Sequence, residues 1–268
     1  MKGGGESPKR TVFARFGLST LAAPGEGCLV RGGVTVVVAG DRVVGLETRP
    51  PVAAKILTTP DGPELVLIGA AAGLLEGDTV TIDLRLGPGA RLTVRTTAAT
   101  LAHPCPDGGW TEMTVTVVLA PGAVLAWLPE PLVACGGCCH RSRSTVDLAE
   151  GAAAVWYEAC TLGRSGERAG AVQLRLDVTL GGRPLLRDGL KYPDGAETPA
   201  VLAGHRHTGS VHLLGRRARG PFLQLAGDGT TARAVAADAA GLERALGPAR
   251  ATFLSVIGPS LKEVPVHG

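Results

Sequence analysis

The chain has 268 residues and a formal net charge of +3, from 27 Lys and Arg against 24 Asp and Glu. With 45% hydrophobic and 19% charged residues it has ample material for a core, which excludes a disordered protein. So small a positive excess, with only 3% aromatic residues, argues against a broad basic surface that stacks on nucleic-acid bases.

The N-terminal stretch MKGGGESPKR is basic, but no apolar segment follows it as in a secretion signal. We read residues 1–10 as a flexible leader and residues 11–268 as one β-rich domain. The most apolar run, Leu65 to Leu75, is about half of the ~20 residues that a membrane-crossing helix requires. A cytoplasmic location is the expectation, with the six cysteines mostly reduced and no membrane or nucleic-acid partner.

From about residue 11 to 216 the chain reads as strand after strand. Val34–Val38, Thr79–Leu86, Met113–Leu119 and Val172–Leu180 are β-branched and bounded by Gly, Asp or Pro. Within Thr79–Leu86 the apolar residues Val80, Ile82, Leu84 and Leu86 alternate with Thr79, Thr81, Asp83 and Arg85, the signature of a half-buried strand. Four segments then repeat a strand–turn–strand pattern: TIDLRLGPGARLTV, VTVVLAPGAVLAW, STVDLAEGAAAVW and LDVTLGGRPLL. Their turn glycines, Gly89, Gly122, Gly151 and Gly182, are spaced by 33, 29 and 31 residues, and the first three are followed by or paired with Ala. A single strand pair cannot bury both of its faces, so such units stack. The expected fold is mainly β, a stacked or superhelical arrangement of antiparallel strand pairs with one or two C-terminal helices.

His205–Gly220, basic and Gly-containing, is the best linker candidate. Thr230–Leu246 predicts a helix, with Asp228, Thr230 or Thr231 as N-cap, Gly247-Pro248 as the stop, and a stripe of Val235, Ala239, Leu242 and Leu246. A short strand, Thr252–Ile257, is expected to follow.

No phosphate-binding G-x-x-x-x-G-K-[ST], no helix-opening G-x-G-x-x-G, no G-x-S-x-G elbow and no H-E-x-x-H is present. The most unusual residues are Cys135, Cys138, Cys139 and His140 in CGGCCH. Three thiols and an imidazole suit zinc or another soft metal, and His103 and Cys105 lie one repeat earlier. The same cysteines also read as small core residues, because a second C-x-x-C is missing and adjacent cysteines fit one ion poorly. His205, His207 and His212 offer imidazoles at strand spacing, or simply an exposed polar loop. Asp78, Glu130 and Glu158 are carboxylates in apolar surroundings that could line a polar path for a cation or contact a partner; each also reads as a turn residue or the mate of an arginine.

At this point the chain resembles the urease accessory protein D family (UreD, or UreH). The motifs that carry the resemblance run in order from about residue 27 to 257: LIGAAAGLLEGD at 67–78, LRLGPGARLTV at 84–94, TTAAT at 96–100, GAVLAWLP at 122–129, VDLAEG at 146–151, Glu158, LGRSGE at 162–167 and GRPLLRDGL at 182–190. Thr97, Leu101 and His103 depart from the family pattern, and the Cys135–His140 cluster is not a feature of it. The resemblance implies a mostly β, superhelical scaffold that is not an enzyme. It implies docking on apo-urease, partnership with accessory proteins F and G, and nickel that passes through transiently with no permanently bound cofactor. The competing reading is a free-standing β-rich metal-binding or thiol protein built on Cys135–His140.

Overall fold

A computed structural model describes residues 29–70, 73–193 and 202–258. The strands in chain order are β1 (Arg31–Ala39), β2 (Arg42–Arg49), β3 (Val52–Thr59), β4 (Gly62–Gly69), β5 (Thr79–Leu86), β6 (Arg91–Thr96), β7 (Thr100–Ala102), β8 (Thr111–Leu119) and β9 (Val124–Leu128). They continue with β10 (Leu132–Ala134), β11 (Cys139–Leu148), β12 (Ala153–Leu162), β13 (Ala171–Leu180), β14 (Arg183–Tyr192), β15 (His207–Leu214), β16 (Leu223–Gln224) and β17 (Gly229–Ala236). One long helix, α1 (Ala239–Ile257), follows.

Two sheets face each other. The first has the order β14-β13-β11-β8-β5-β1-β2, and the second β16-β17-β15-β12-β9-β6-β4-β3, with β7 and β10 paired beside β12. The chain crosses from one sheet to the other at each turn: β5 to β6, β8 to β9, β11 to β12. Each crossing starts a new coil, and successive coils pair in parallel, as in β5 with β8, β8 with β11, and β6 with β9. The fold is therefore mainly β and stacked, a solenoid with a C-terminal helix. Its repeat units, however, are not antiparallel pairs. The two strands of a unit lie in different sheets, and among the described residues antiparallel ladders between strands are confined to the ends, at β1–β2, β3–β4, β13–β14 and β12–β15–β17–β16.

The repeat glycines explain this. Gly89, Gly122 and Gly151 all have positive φ (65°, 73° and 80°), a conformation that a side chain opposes. They stack in register: a Cβ on Gly122 would sit 3.8 Å from the Gly89 Cα, and one on Gly151 would sit 3.8 Å from the Gly122 nitrogen. The neighbouring alanines Ala90, Ala123 and Ala152 are fully buried, so the corner admits only a methyl group. The fourth unit behaves differently. Gly181 and Gly182 both have positive φ (56° and 74°) and join β13 to β14 in an antiparallel hairpin. A two-glycine turn of that kind reverses the chain within one sheet.

Among the described residues the first sheet is covered on one face only, and its strands alternate accordingly: β5 is buried at Val80, Ile82, Leu84 and Leu86. The second sheet is a middle layer. All five residues of β9 (VLAWL) are buried; Leu125 and Trp127 pack toward the first sheet, while Val124, Ala126 and Leu128 pack with α1. A strand buried on both faces reads as a continuous apolar run. Trp127 and Trp156 stack between the sheets, 4.8 Å apart at an interplanar angle of 11°.

The C-terminal region corrects three expectations. Gly229–Ala236 is strand β17, paired with β15, and not the start of the helix. The helix starts one segment later, capped by Asp238, whose carboxylate accepts from the Gly241 N–H at 2.6 Å. It runs through Gly247 and Pro248 and includes Thr252–Ile257, which reads locally as a strand. Burial of Leu242, Leu246, Ala249, Phe253, Leu254 and Ile257 against the middle sheet outweighs the local stop signal. His205–Gly220 likewise is no linker, because it contains β15, which sits between β12 and β17. The leader at residues 1–10 lies outside the described residues.

Candidate functional site

Between the sheets, away from the Gly-Ala corner, lies a cavity of about 550 Å³. Its origin is visible along β11. The inward positions of that strand read Leu148, Val146, Ser144, Ser142, His140, changing from bulky apolar to small polar along the strand. Ser142 pairs with Met113 and Leu174, and Ser144 with Val115 and Leu176, so two serines stand where their neighbours carry large apolar groups. The missing volume becomes the cavity, completed by Trp127, Glu158 and the 96–101 loop.

Glu158, on β12, is one of two carboxylates that line this cavity. Ser144 Oγ donates to its Oε1 at 3.4 Å. Burial pushes the carboxyl up from its ordinary range, opposed by the nearby Trp156 indole N–H and by His212. Near Glu158, a separate polar group spans the far edges of the two sheets. His212 on β15 is buried, with Nδ1 2.7 Å from Thr231 Oγ1 and Nε2 3.2 Å from Asp188 Oδ2. Arg233 of β17 grips the other oxygen of Asp188, on β14. Burial works against the Asp188 anion, but His212 and Arg233 prevail and hold its pKa at about 2. Asp188 thus ties the edge of the first sheet to the edge of the second.

The other carboxylates named from sequence divide. Glu130 lines the cavity beside the 96–101 loop, its backbone N–H donating to Thr96 Oγ1 at 2.9 Å. Asp78 does not line it. Asp78 is 3% exposed, and its two oxygens accept from the backbone N–H groups of Val30 (3.0 Å) and Leu75 (2.9 Å), which locks the entry to β5.

Cys135, Cys138, Cys139 and His140 do not assemble as one ligand set. Adjacent residues on a strand point to opposite faces, so Cys139 and His140 diverge at the start of β11. His140 is fully buried, with Nδ1 2.8 Å from Thr111 Oγ1 and Nε2 without a partner; burial lowers its pKa to about 4, so the ring is neutral. Burial raises the Cys138 thiol to about 12. Among the described residues, no group of three or more His, Cys, Asp or Glu side chains is placed to hold a metal ion. Of the histidines read at strand spacing, His205 precedes the strand and is half-buried. His207 and His212 lie on β15, and His207 Nδ1 is 3.0 Å from Thr161 Oγ1.

Sequence reasoning missed Ser142, Ser144, Asp188 and Arg233. The signal for the serines was present, since His140-x-Ser142-x-Ser144 followed by Val146-x-Leu148 is a polar-to-apolar switch on a single strand face. Asp188 and Arg233 lie 45 positions apart in the chain (233 − 188), and only the sheet edges bring them together.

A coiled two-sheet scaffold with an acidic interior cavity, backed by one helix, is the class of protein these features define. The family model described as UreD urease accessory protein matches residues 31–260. The chain belongs to this family, whose members are accessory proteins and not catalysts. It is 39% identical over 222 residues to urease accessory protein UreD 3 of Streptomyces griseus, covering 76% of this chain and 84% of that one. It is 35% identical over 247 residues to urease accessory protein UreD of Streptomyces coelicolor, covering 84% and 97%. With UreD of Streptomyces avermitilis it shares 36% identity over 200 residues, 72% and 75% of the two chains.

Proposed function

We propose that this protein is a cytoplasmic scaffold of urease maturation. It docks on apo-urease and, with accessory proteins F and G, supports delivery of nickel to the urease active site. Family membership supports the urease assignment. The observation that carries the nickel reading is Glu158, a carboxylate that lines the cavity between the sheets with His212 and Asp188 near by.

A cation in transit needs ligands that neutralise it without retaining it. One carboxylate with serine hydroxyls is a weak site, unlike the closed three- or four-ligand sets that hold structural metals. Glu158 and Glu130 take the nickel-contact role. Asp78 does not, because both of its oxygens are committed to backbone N–H groups. Since burial raises the Glu158 pKa, the carboxylate that would receive nickel is lost at a higher pH than for an exposed glutamate.

The test is co-expression with the urease subunits and protein F of the same organism. The expected result is co-purification with apo-urease. With Glu158→Gln, co-purification persists while urease activation falls about tenfold, the loss expected if removing the charge costs about 1.4 kcal/mol at the passage step. Absence of any complex sinks the scaffold reading. Normal activation by Glu158→Gln sinks the nickel role of Glu158 alone.

A further inference from the structure

Two adjacent coils bring two cysteine-bearing turns together. Cys105 follows β7, and Cys139 opens β11 after the Cys135–Cys138 turn. Pro104 and Cys138 form an antiparallel bridge, and the Cys105 N–H donates to the Gly137 carbonyl at 2.9 Å. Residues opposite each other in such a pair, and alternate residues along either strand, share a face. Cys105 thus lies opposite Gly137, the turn glycine (φ 69°) two residues before Cys139, and Gly137 has no side chain to stand between the two thiols. The Cys105 thiol is 3.8 Å from the Cys139 carbonyl oxygen and within hydrogen-bonding reach of the Cys139 thiol. The other thiols of the cluster turn elsewhere: Cys135 Sγ is 4.0 Å from the Val133 carbonyl and Cys138 Sγ is 3.8 Å from that of Ala171. Cys105 is 6% exposed, whereas Cys139 is partly exposed, so a reagent from solvent meets Cys139 first. Neither is in a disulfide.

We propose that Cys105 and Cys139 are a peroxide-sensitive pair that closes to a disulfide between the turns leading into β8 and β11. The Cys139 thiolate attacks one oxygen of hydrogen peroxide; the O–O bond breaks and the hydroxide released is protonated to water. The resulting sulfenic acid is attacked by the Cys105 sulfur; its S–O bond breaks and the second water leaves with the Cys105 proton. Two thiols lose two electrons and two protons, and one peroxide becomes two waters. Burial raises the Cys105 thiol, so the more exposed Cys139 is the one that meets peroxide first. The bond would fix one wall of the cavity, because His103, two residues before Cys105, lines it.

The test is peroxide treatment of the full chain, capping of the remaining thiols, digestion and mass spectrometry without reduction. No Lys or Arg lies between Arg95 and Arg141, so cleavage after Glu112 and Glu130 is used to separate Cys105 from the other cysteines. The expected product is a Cys105–Cys139 cross-linked peptide, two hydrogens lighter than its reduced parts and lost on treatment with dithiothreitol. In Cys105→Ser, sulfenic-acid labelling of Cys139 by dimedone is expected to rise several-fold over wild type. A cross-link between Cys135 and Cys138 instead, or terminal oxidation of Cys139 with Cys105 still free, overturns the proposal. The wild-type map decides the matter even if a variant fails to fold.

Discussion

His140 shows most directly how a single burial decides chemistry. Its ring sits neutral between sheets, with a folded pKa of about 4 against an ordinary 6.5. Between those two values the unfolded chain binds a proton that the folded chain refuses, so stability rises with pH across that window. Lowering the pH from 7 to about 4 is expected to cost on the order of 3 kcal/mol through this residue. Urea midpoints at several pH values would show it, and His140→Gln should flatten the profile between pH 4 and 6.5. Glu158 contributes with the opposite sign, since its raised pKa makes the folded state the better proton binder above the ordinary glutamate value; Asp188, held at about 2, loses its contribution only in stronger acid. The same inward placement of His140 bears on nickel. With His140 on the opposite face from Cys139, and no group of three or more metal-holding side chains among the described residues, Cys138→Ser with Cys139→Ser is expected to leave nickel stoichiometry in equilibrium dialysis unchanged. Asp78 makes a further residue-scale case. Asp78→Ala strands two backbone N–H groups and should destabilise by about 2–4 kcal/mol in chemical denaturation. Activation of urease should fall only as far as folded protein is lost.

At the scale of elements, the strands and the existence of a C-terminal helix were legible, while the bounds of that helix were not. β5 coincides with the alternation in Thr79–Leu86, because a sheet with one solvated face leaves a period-2 record in its own residues. The coil corners were legible too, because Gly-Ala recurs wherever the stack admits nothing larger. Pairing direction left no local record: parallel ladders arise from the stacking of whole coils, and a strand–turn–strand segment reads the same whether its halves pair with each other or cross between layers. The segment 229–257 misled for a related reason. Alanines in β17 (Ala232, Ala234, Ala236) face α1, and small residues that make room for a packed helix look like helix formers themselves. Pro248 lies within α1 with the helix continuing for nine residues beyond it, to Ile257. Pro248→Ala is accordingly expected to raise stability by about 1–3 kcal/mol. A loss instead would show that the proline packs more than it disrupts. Phe253→Ala, emptying a fully buried ring site that meets Phe222 edge-on, should cost about 3–5 kcal/mol.

For the whole molecule, the two open sheet edges matter as much as the core. Asp188, Arg233 and His212 clasp β14 to β17. Asp188→Asn leaves a guanidinium and an imidazole facing a neutral amide. It is expected to lower stability by about 1.5–3 kcal/mol and to increase hydrogen exchange in β14 and β17 more than in β5 or β8. Uniform exchange changes would mean the clasp does not govern the edges. The solenoid itself has another implication. In the middle of the stack each coil leans mainly on the coil before and the coil after it, so chain length there is quantised in units of one circuit. Duplicating the circuit from one Gly-Ala corner to the next, residues 90–122, should lengthen the stack by one layer with every inward side chain still inward. Excising an odd number of residues from β8 would invert the strand and turn its Thr-rich outer row into the cavity. Growth by whole circuits is thus the route by which such a molecule could change its reach without relearning how to fold.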